Sequence, residues 1–182
     1  MPAFQPRPVL SAGLRPPRCY PRPVHPEWVF DDDDRAAMAA ALDEARAAAA
    51  QGEVPVGAVV VADGVIIARA GNRRQTDHDP TGHAELLALR VAARVRGDWR
   101  LSGCTLYVTL EPCPMCVAAC RQARLDLVVW GASDPAAGGC GTVVDLAEDP
   151  RLGPPLATRG GLAAEASRAL LGEFFANRRD SS

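Results

Sequence analysis

The sequence lacks an apolar run long enough to cross a bilayer. A membrane-spanning helix requires about 20 consecutive apolar residues, and no stretch of the 182 residues approaches that length. VLSAGL, residues 9–14, is too short and too interrupted for the apolar region of a signal peptide. The composition, 48% apolar and 23% charged, is typical of a soluble globular protein. We therefore expect one soluble domain, located in the cytoplasm and not attached to a membrane.

The chain also lacks an excess of positive charge. Its net charge is −2, and the residues after position 27 contain 16 arginines against 21 acidic residues. A non-specific nucleic-acid binder needs an extended basic surface, so this class of function is disfavoured, whereas a specific RNA enzyme with a local basic patch is not. GxGxxG and P-loop motifs are absent as well, so the glycine-rich loop 134–141 is not expected to bind phosphates as those motifs do.

Proline is concentrated at one end of the chain. Residues 1–27 contain eight of the 16 prolines together with four arginines, and they show almost no periodic apolar pattern. This composition predicts a disordered or extended segment. A targeting peptide is the alternative, although the proline density opposes an amphipathic helix. Residues 28–182 are predicted to form the single folded domain.

The remaining sequence alternates between helical and strand patterns. Asp31–Asp34 can cap an alanine-rich helix that ends at Gly52, and Asp63-Gly64 is a strong hairpin signal between two β-branched runs. From residue 83 onward, helix and strand patterns alternate, which predicts two parallel strands flanked by helices and joined to the antiparallel hairpin. The predicted helices cover about 32–51, 83–96, 113–123, 142–149 and 161–179, and the predicted strands 54–72 (as the hairpin), 105–110 and 125–132.

The stretch LEPCPMC, residues 110–116, contains two cysteines with two residues between them. Six cysteines in a chain of this length without an export signal do not indicate a disulfide scaffold. A Cys-X-X-Cys pair at the end of a strand is typical both of a redox dithiol and of a metal site. Taken alone, Cys113 and Cys116 do not distinguish these two alternatives.

The motif HAE, residues 83–85, favours the metal site. His83 and Glu85 begin one predicted helix, Cys113 and Cys116 begin the next, and neighbouring parallel elements bring such helix starts together at one edge of the sheet. One imidazole and two thiolates suit zinc and leave its fourth position open, and helix N-termini favour the thiolate. The carboxylate of Glu85, two residues from the ligand His83, is placed to transfer protons during hydrolysis.

The combination of H-x-E with P-C-x-x-C is the signature of zinc-dependent deaminases, and the resemblance extends beyond it. EVPVGAVVV, GNR, DHDPTGHAE, TLYVTLEPCPMC, DLVVWGA with Asp134, and GEFFANRR are similar to segments of the bacterial tRNA-specific adenosine deaminases. The resemblance runs from about residue 28 to residue 179. It implies the cytidine-deaminase-like fold, an α/β/α sandwich of three layers around a mixed five-stranded sheet.

The resemblance also implies an activity and its residues. The expected reaction is the zinc-dependent hydrolysis of adenosine to inosine at the wobble position of a tRNA, with one Zn²⁺ per subunit, a homodimeric enzyme and the anticodon stem-loop as partner. Glu85 corresponds to the proton shuttle and Asn72 to the residue that hydrogen-bonds the base. Asp134 and Arg178 are further expected substrate contacts.

Two other functions stay open at the level of sequence. Ala136 and Gly153-Pro154-Pro155 stand where the family commonly carries basic residues, in loops that it uses against tRNA. A deaminase of a free base or nucleoside, such as guanine or cytosine, would use the same zinc site, although the terminal GEFFANRR argues against it. A non-catalytic, zinc-stabilised RNA-binding or partner subunit is a third interpretation, and the intact Glu85 argues against it.

The other candidate ligands have simpler interpretations. Cys120 lies one helical turn beyond Cys116, but a fourth protein ligand would close the open position on the metal, so we expect a buried, packing side chain. Cys104 and Cys140 are expected to pack or to lie in loops. His78 is expected to be a surface residue of the loop that precedes the motif.

Overall fold

Residues 29–179 are described by a computed structural model, in which a mixed five-stranded sheet lies between two layers of helices. The three-layer α/β/α fold expected from the resemblance is confirmed. The predicted disordered segment 1–27 lies outside the described residues. The elements, in chain order, are α1 (Asp32–Ala50), β1 (Gly57–Ala62), β2 (Val65–Gly71), α2 (Ala84–Arg96), β3 (Cys104–Leu110), α3 (Pro114–Gln122), β4 (Leu127–Ala132), β5 (Ala157–Arg159) and α4 (Ala164–Arg179).

The strands lie in the order β2-β1-β3-β4-β5. β1 pairs antiparallel with β2 and with β3, whereas β4 pairs parallel with β3 and with β5. The hairpin turn consists of Asp63 and Gly64, at φ 50° and 77°, the left-handed conformation that a two-residue hairpin favours. The predicted hairpin and the two parallel strands are therefore confirmed, while β5, only three residues long, had no strand pattern in the sequence.

Helices cover both faces of the sheet, so the side chains that alternate along a strand are buried on either side of it. Val59 packs in the cluster formed with α1, and Val60, the next residue, packs in the cluster formed with α2 and α3. The backbones of β1 and α1 also lie very close together. A Cβ atom on Gly57 would lie 2.1 Å from the carbonyl oxygen of Ala41 in α1. Between residues 29 and 179, no helix has the length and apolar character needed to span a membrane.

The run of aspartates before α1 serves the start of that helix. Asp31 accepts a hydrogen bond from the Asp34 backbone N–H at 2.8 Å, and the Asp34 side chain accepts one from the Asp31 N–H at 3.1 Å. This capping box satisfies two of the free donors at the helix start. Asp34 also accepts a 2.6 Å hydrogen bond from the Tyr107 hydroxyl in the buried layer between α1 and the sheet.

The prediction of a helix over residues 142–149 is wrong. The N–H groups that would donate within such a helix bind elsewhere, since the N–H of Leu146 donates to the Gly139 carbonyl at 2.9 Å instead of to the Thr142 carbonyl. Asp145 then holds a tight turn by accepting hydrogen bonds from two following N–H groups. The N–H groups of Leu146 and of the two residues after it are therefore not available for helical hydrogen bonds, and the only helical turn nearby is the 3-10 turn Pro150–Leu152.

Candidate metal centre and active site

Three side chains converge where α2 and α3 begin. His83 is the N-cap of α2, Cys113 is the N-cap of α3, and Cys116 lies in the first turn of α3. The two sulfur atoms are 3.7 Å apart, and His83 Nδ1 lies 3.7 Å from Cys113 Sγ and 3.5 Å from Cys116 Sγ. Within residues 29–179, this is the one group of three or more potential ligands whose donor atoms all lie within 4.8 Å of one another.

The helix starts explain why these side chains are available. The carbonyl oxygens of the two N-cap residues accept the first helical hydrogen bonds, from the N–H groups of Leu87 and Val117. Neither N-cap side chain caps its own helix, so the imidazole and the thiol both turn toward the neighbouring helix. Pro114 follows at the first position of α3, where its missing N–H is of no consequence.

The separations between the three donor atoms fit zinc. With Zn–S distances of about 2.3 Å and a Zn–N distance of about 2.0 Å, a tetrahedral ion holds its S/S and S/N ligand pairs about 3.8 and 3.5 Å apart. The observed separations of 3.5 to 3.7 Å agree with this geometry. His83, Cys113 and Cys116 are thus suited to hold one zinc ion and to leave its fourth position for water or substrate.

The pKa values of the two thiols in this cluster shift in opposite directions. The hydrogen bonds with Cys116 and, to a smaller extent, with His83 lower the pKa of the Cys113 thiol to about 4. The hydrogen bond with Cys113, together with burial, raises the pKa of Cys116, and the hydrogen bond with Cys113 raises the pKa of His83. Zinc requires two thiolates and a neutral imidazole, so metal binding is expected to release protons from this cluster.

Glu85 lies in the first turn of α2, two residues beyond His83, and is only 4% exposed. Burial raises the pKa of its carboxyl group, which is the largest influence on it. A buried carboxyl group with a raised pKa can both accept and donate a proton during a reaction. Its position beside the ligands suits proton transfer.

The pocket beside the metal site has a volume of about 210 Å³. Its lining includes the ligands His83 and Cys113, the carboxylate of Glu85, and the predicted substrate contacts Asn72 and Asp134. The structure therefore brings these two predicted contacts to the metal site, while their roles stay predictions. A pocket of this size accommodates a group as small as one nucleobase, and the rest of a polymeric substrate would remain outside it.

Glu53, which our reading of the sequence missed, holds one side of the pocket. It is 1% exposed, and its Oε2 accepts a 3.1 Å hydrogen bond from the Asn72 amide. Its Oε1 accepts hydrogen bonds from the backbone N–H groups of Gln75 and Thr76, at 2.9 and 2.7 Å. Glu53 therefore fixes both the orientation of the Asn72 side chain and the turn that follows it.

Glu111, which is 2% exposed, holds the opposite side in the same way. It accepts hydrogen bonds from the backbone N–H groups of Asp134, Cys140 and Thr142, at 3.1, 3.0 and 3.2 Å, and from the Thr142 hydroxyl. The glycine-rich loop 134–141 thus wraps around a carboxylate of the protein. A charged residue next to a buried apolar strand needs such partners, and that requirement was the available sequence signal for both glutamates.

Other predicted residues lie elsewhere. Arg178, an expected substrate contact, lies near the end of α4 with its guanidinium 5.3 Å from the centre of the Phe174 ring and is not part of the pocket lining. Its role stays a prediction.

The remaining candidates have structural positions that do not depend on the metal. His78 is exposed, with φ 50°. Cys120 is fully buried and lies outside the ligand group. The carboxylate of Asp134 accepts hydrogen bonds from the N–H groups of Ala136 and Ala137, so it also stabilises its own loop.

Comparison with known proteins supports the same chemistry. A family model described as the cytidine and deoxycytidylate deaminase zinc-binding region matches residues 31–132. The tRNA-specific adenosine deaminase of Bacillus subtilis (strain 168) is 44% identical over 142 residues, which cover 78% of this chain and 88% of that protein.

Two solved structures show the same fold. One comes from biochemical and structural studies of A-to-I editing by tRNA:A34 deaminases at the wobble position of transfer RNA; it is 43% identical with a TM-score of 0.73 and covers 75% of this chain and 99% of its own. The guanine deaminase of Bacillus subtilis is 39% identical with a TM-score of 0.53, covering 57% of this chain and 66% of its own.

Proposed function

Because this chain belongs to the cytidine and deoxycytidylate deaminase family, we propose that it hydrolyses adenosine to inosine at the wobble position of a transfer RNA. The observation that carries the proposal is the convergence of His83, Cys113 and Cys116 with the buried Glu85 beside one small pocket. The similarity to tRNA adenosine deaminases along most of their length supports this choice of substrate.

The residues of the pocket have different roles in this reaction. His83, Cys113 and Cys116 hold the zinc ion, which when bound acts as a Lewis acid and lowers the pKa of water. Glu85 takes a proton from the attacking water and delivers a proton to the amino nitrogen of adenine, so that water is consumed and ammonia leaves. Asn72, oriented by Glu53, hydrogen-bonds the base. Asp134 on the opposite loop and Arg178 on α4 are proposed as further contacts to the RNA.

The proposal includes the assembly and location that the resemblance implies. A homodimer would place a second chain beside the pocket, where an anticodon stem-loop extends beyond the small cavity that receives its base. A cytoplasmic enzyme would meet its tRNA substrate directly.

Deamination of free guanine is the second candidate, because the guanine deaminase of Bacillus subtilis shares the fold at 39% identity. One experiment separates the two. Zinc-loaded protein is incubated with an anticodon stem-loop carrying adenosine at the wobble position and, in parallel, with guanine, cytosine, cytidine and adenosine. The matched control is the same stem-loop with guanosine at the wobble position. Inosine in the first RNA is expected, whereas turnover of a free base alone would overturn the proposal.

A further inference from the structure

One exposed arginine lies at the rim of the pocket. Arg74 follows Asn72 by two residues and lines the pocket together with Asn72 and His83. Apart from His83, it is the only basic side chain in that lining. The facing loop, residues 133–142, contains no arginine or lysine and one aspartate. Positive charge at the mouth of the pocket is therefore concentrated at Arg74.

The neighbouring arginines are already paired, but Arg74 is not. Arg73 makes two hydrogen bonds to Asp77, at 2.8 and 2.9 Å, and Arg90 lies 3.8 Å from Asp79. Among the described residues 29–179, no carboxylate lies within 4.0 Å of the Arg74 guanidinium. Its charge is thus available to an anionic ligand.

The backbone that carries Arg74 is held in place. Hydrogen bonds to Glu53 fix Asn72 on one side and the N–H groups of Gln75 and Thr76 on the other, and the N–H of Arg73 donates to the Gly82 carbonyl at 2.9 Å. Arg74 therefore projects from a turn whose backbone is fixed by hydrogen bonds. A side chain presented from a fixed backbone loses less entropy when it binds a ligand.

The chemistry of the proposed substrate supplies the anion. A pocket of about 210 Å³ is small against an RNA chain, so the phosphates that flank the target nucleotide remain at its mouth. A guanidinium forms strong, often bidentate hydrogen bonds with phosphate oxygens. A free base or nucleoside has no phosphate to offer.

We propose that the Arg74 guanidinium binds a backbone phosphate next to the target adenosine, and that this contact selects adenosine within an RNA chain over free adenosine or a free base. The inference rests on the proposed function and names the group of the chain that recognises the polymeric part of the substrate.

The test compares Arg74→Ala with the matched control Arg46→Ala. Arg46 is exposed on α1, where it pairs with Asp43, and α1 lies on the face of the sheet opposite to α2 and α3. Both substitutions remove one positive charge. Binding of a fluorescent anticodon stem-loop is measured by anisotropy over a range of salt concentrations, and deamination of the stem-loop and of free adenosine is measured in parallel.

We expect Arg74→Ala to weaken stem-loop binding about tenfold at low salt, in line with the loss of one charge-assisted hydrogen-bonded contact. The slope of log K against log salt should become shallower by about 0.7, the value for one contact to a single strand. Turnover of the stem-loop should show a raised KM with a smaller change in kcat, and the loss in kcat/KM should be much larger for the stem-loop than for free adenosine. Arg46→Ala should match the wild type in each measurement.

A stem-loop with neutral methylphosphonate linkages flanking the adenosine completes the test as a double-mutant cycle. The wild type should lose the same factor in affinity on this RNA, and Arg74→Ala should lose no more. An unchanged salt slope for Arg74→Ala, or additive losses in the cycle, would show that Arg74 does not bind a phosphate next to the adenosine. Failure of the wild type to deaminate the stem-loop would instead overturn the proposed function, because binding slopes are read without turnover.

Discussion

The metal-binding wall of the pocket and the two loops beside it are built in different ways. The wall consists of two helix starts, whose N-cap and first-turn positions present His83, Cys113 and Cys116 to one another across neighbouring elements of the fold. Each loop is instead held by one buried carboxylate, Glu53 or Glu111, that accepts N–H groups about 20 to 30 residues further along the chain. The ligands of the wall are thus set by their positions at two helix starts, whereas each loop depends on hydrogen bonds to one distant carboxylate.

This difference separates two kinds of mutational effect. A change in the wall should remove the metal or the proton transfer and leave most of the fold intact. A change in a loop carboxylate should lower the free energy of unfolding and weaken substrate binding, while the zinc stays bound.

The largest effect is expected at a ligand. Cys116→Ala leaves only two protein ligands, so the protein should lose most of its zinc and its deaminase activity should fall to the background of the assay. Cys120→Ala is the matched control, since Cys120 is also fully buried in α3 but lies outside the ligand group. It should keep its zinc, measured by elemental analysis. Zinc loss in Cys120→Ala would show that the ligand set is larger than three.

The next largest effect should come from Glu85→Gln, which keeps the size of the side chain but removes its proton transfer. Turnover should fall about 10²- to 10⁴-fold, the usual contribution of a general acid–base. Zinc content and the midpoint of thermal unfolding should change little. If the zinc is lost together with the activity, Glu85 supports the metal site instead of moving protons.

The wall was predictable from sequence, and the loops were not. The spacing of HAE and PCPMC identifies His83, Cys113 and Cys116 because N-cap geometry is local, and the structure brings them together as expected. The roles of Glu53 and Glu111 depend on which distant N–H groups reach them, which no local pattern records. The wrong helix prediction over 142–149 has a similar cause, because the N–H of Leu146 binds the Gly139 carbonyl and the next two N–H groups bind the Asp145 side chain instead of helical carbonyls.

The two loop carboxylates can be compared directly through the same substitution. Both oxygens of Glu111 face N–H donors, with Cys140 and Thr142 on one side and Asp134 on the other. A glutamine at this position must direct its NH₂ group toward a donor. Glu111→Gln should therefore lower the free energy of unfolding by about 2–4 kcal/mol, the cost of one or two unsatisfied buried groups.

Chemical denaturation measures that loss, and zinc content should stay near that of the wild type, because Glu111 is not one of the three ligands. A Thr142→Val variant, which removes only the hydroxyl donor to Glu111, should cost about 1 kcal/mol. Equal effects of the two substitutions would mean that the loop does not depend on the carboxylate.

Glu53→Gln should have the smallest effect on stability, about 1 kcal/mol or less, because its partners can adapt. One oxygen of Glu53 accepts the N–H groups of Gln75 and Thr76, and the other accepts only the Asn72 amide. The glutamine oxygen can keep the two backbone donors, while its NH₂ group can donate to Asn72 if that amide rotates by half a turn. The rotation would exchange the oxygen and nitrogen positions of Asn72 at the edge of the pocket, so the KM for the stem-loop should rise several-fold with little change in stability.

A second substitution decides whether this rotation occurs. In Glu53→Gln/Asn72→Asp, the aspartate accepts the glutamine NH₂ group and presents an oxygen in the place where Asn72 has one in the wild type. If the substrate is recognised by that oxygen, the double variant should bind the stem-loop better than Glu53→Gln alone. Further loss in the double variant would show that an N–H of Asn72 contacts the base, and equal KM values for Glu53→Gln and the wild type would show that Glu53 holds only the backbone. The loop that is easiest to perturb without unfolding the protein is thus the one that reports how the base is recognised.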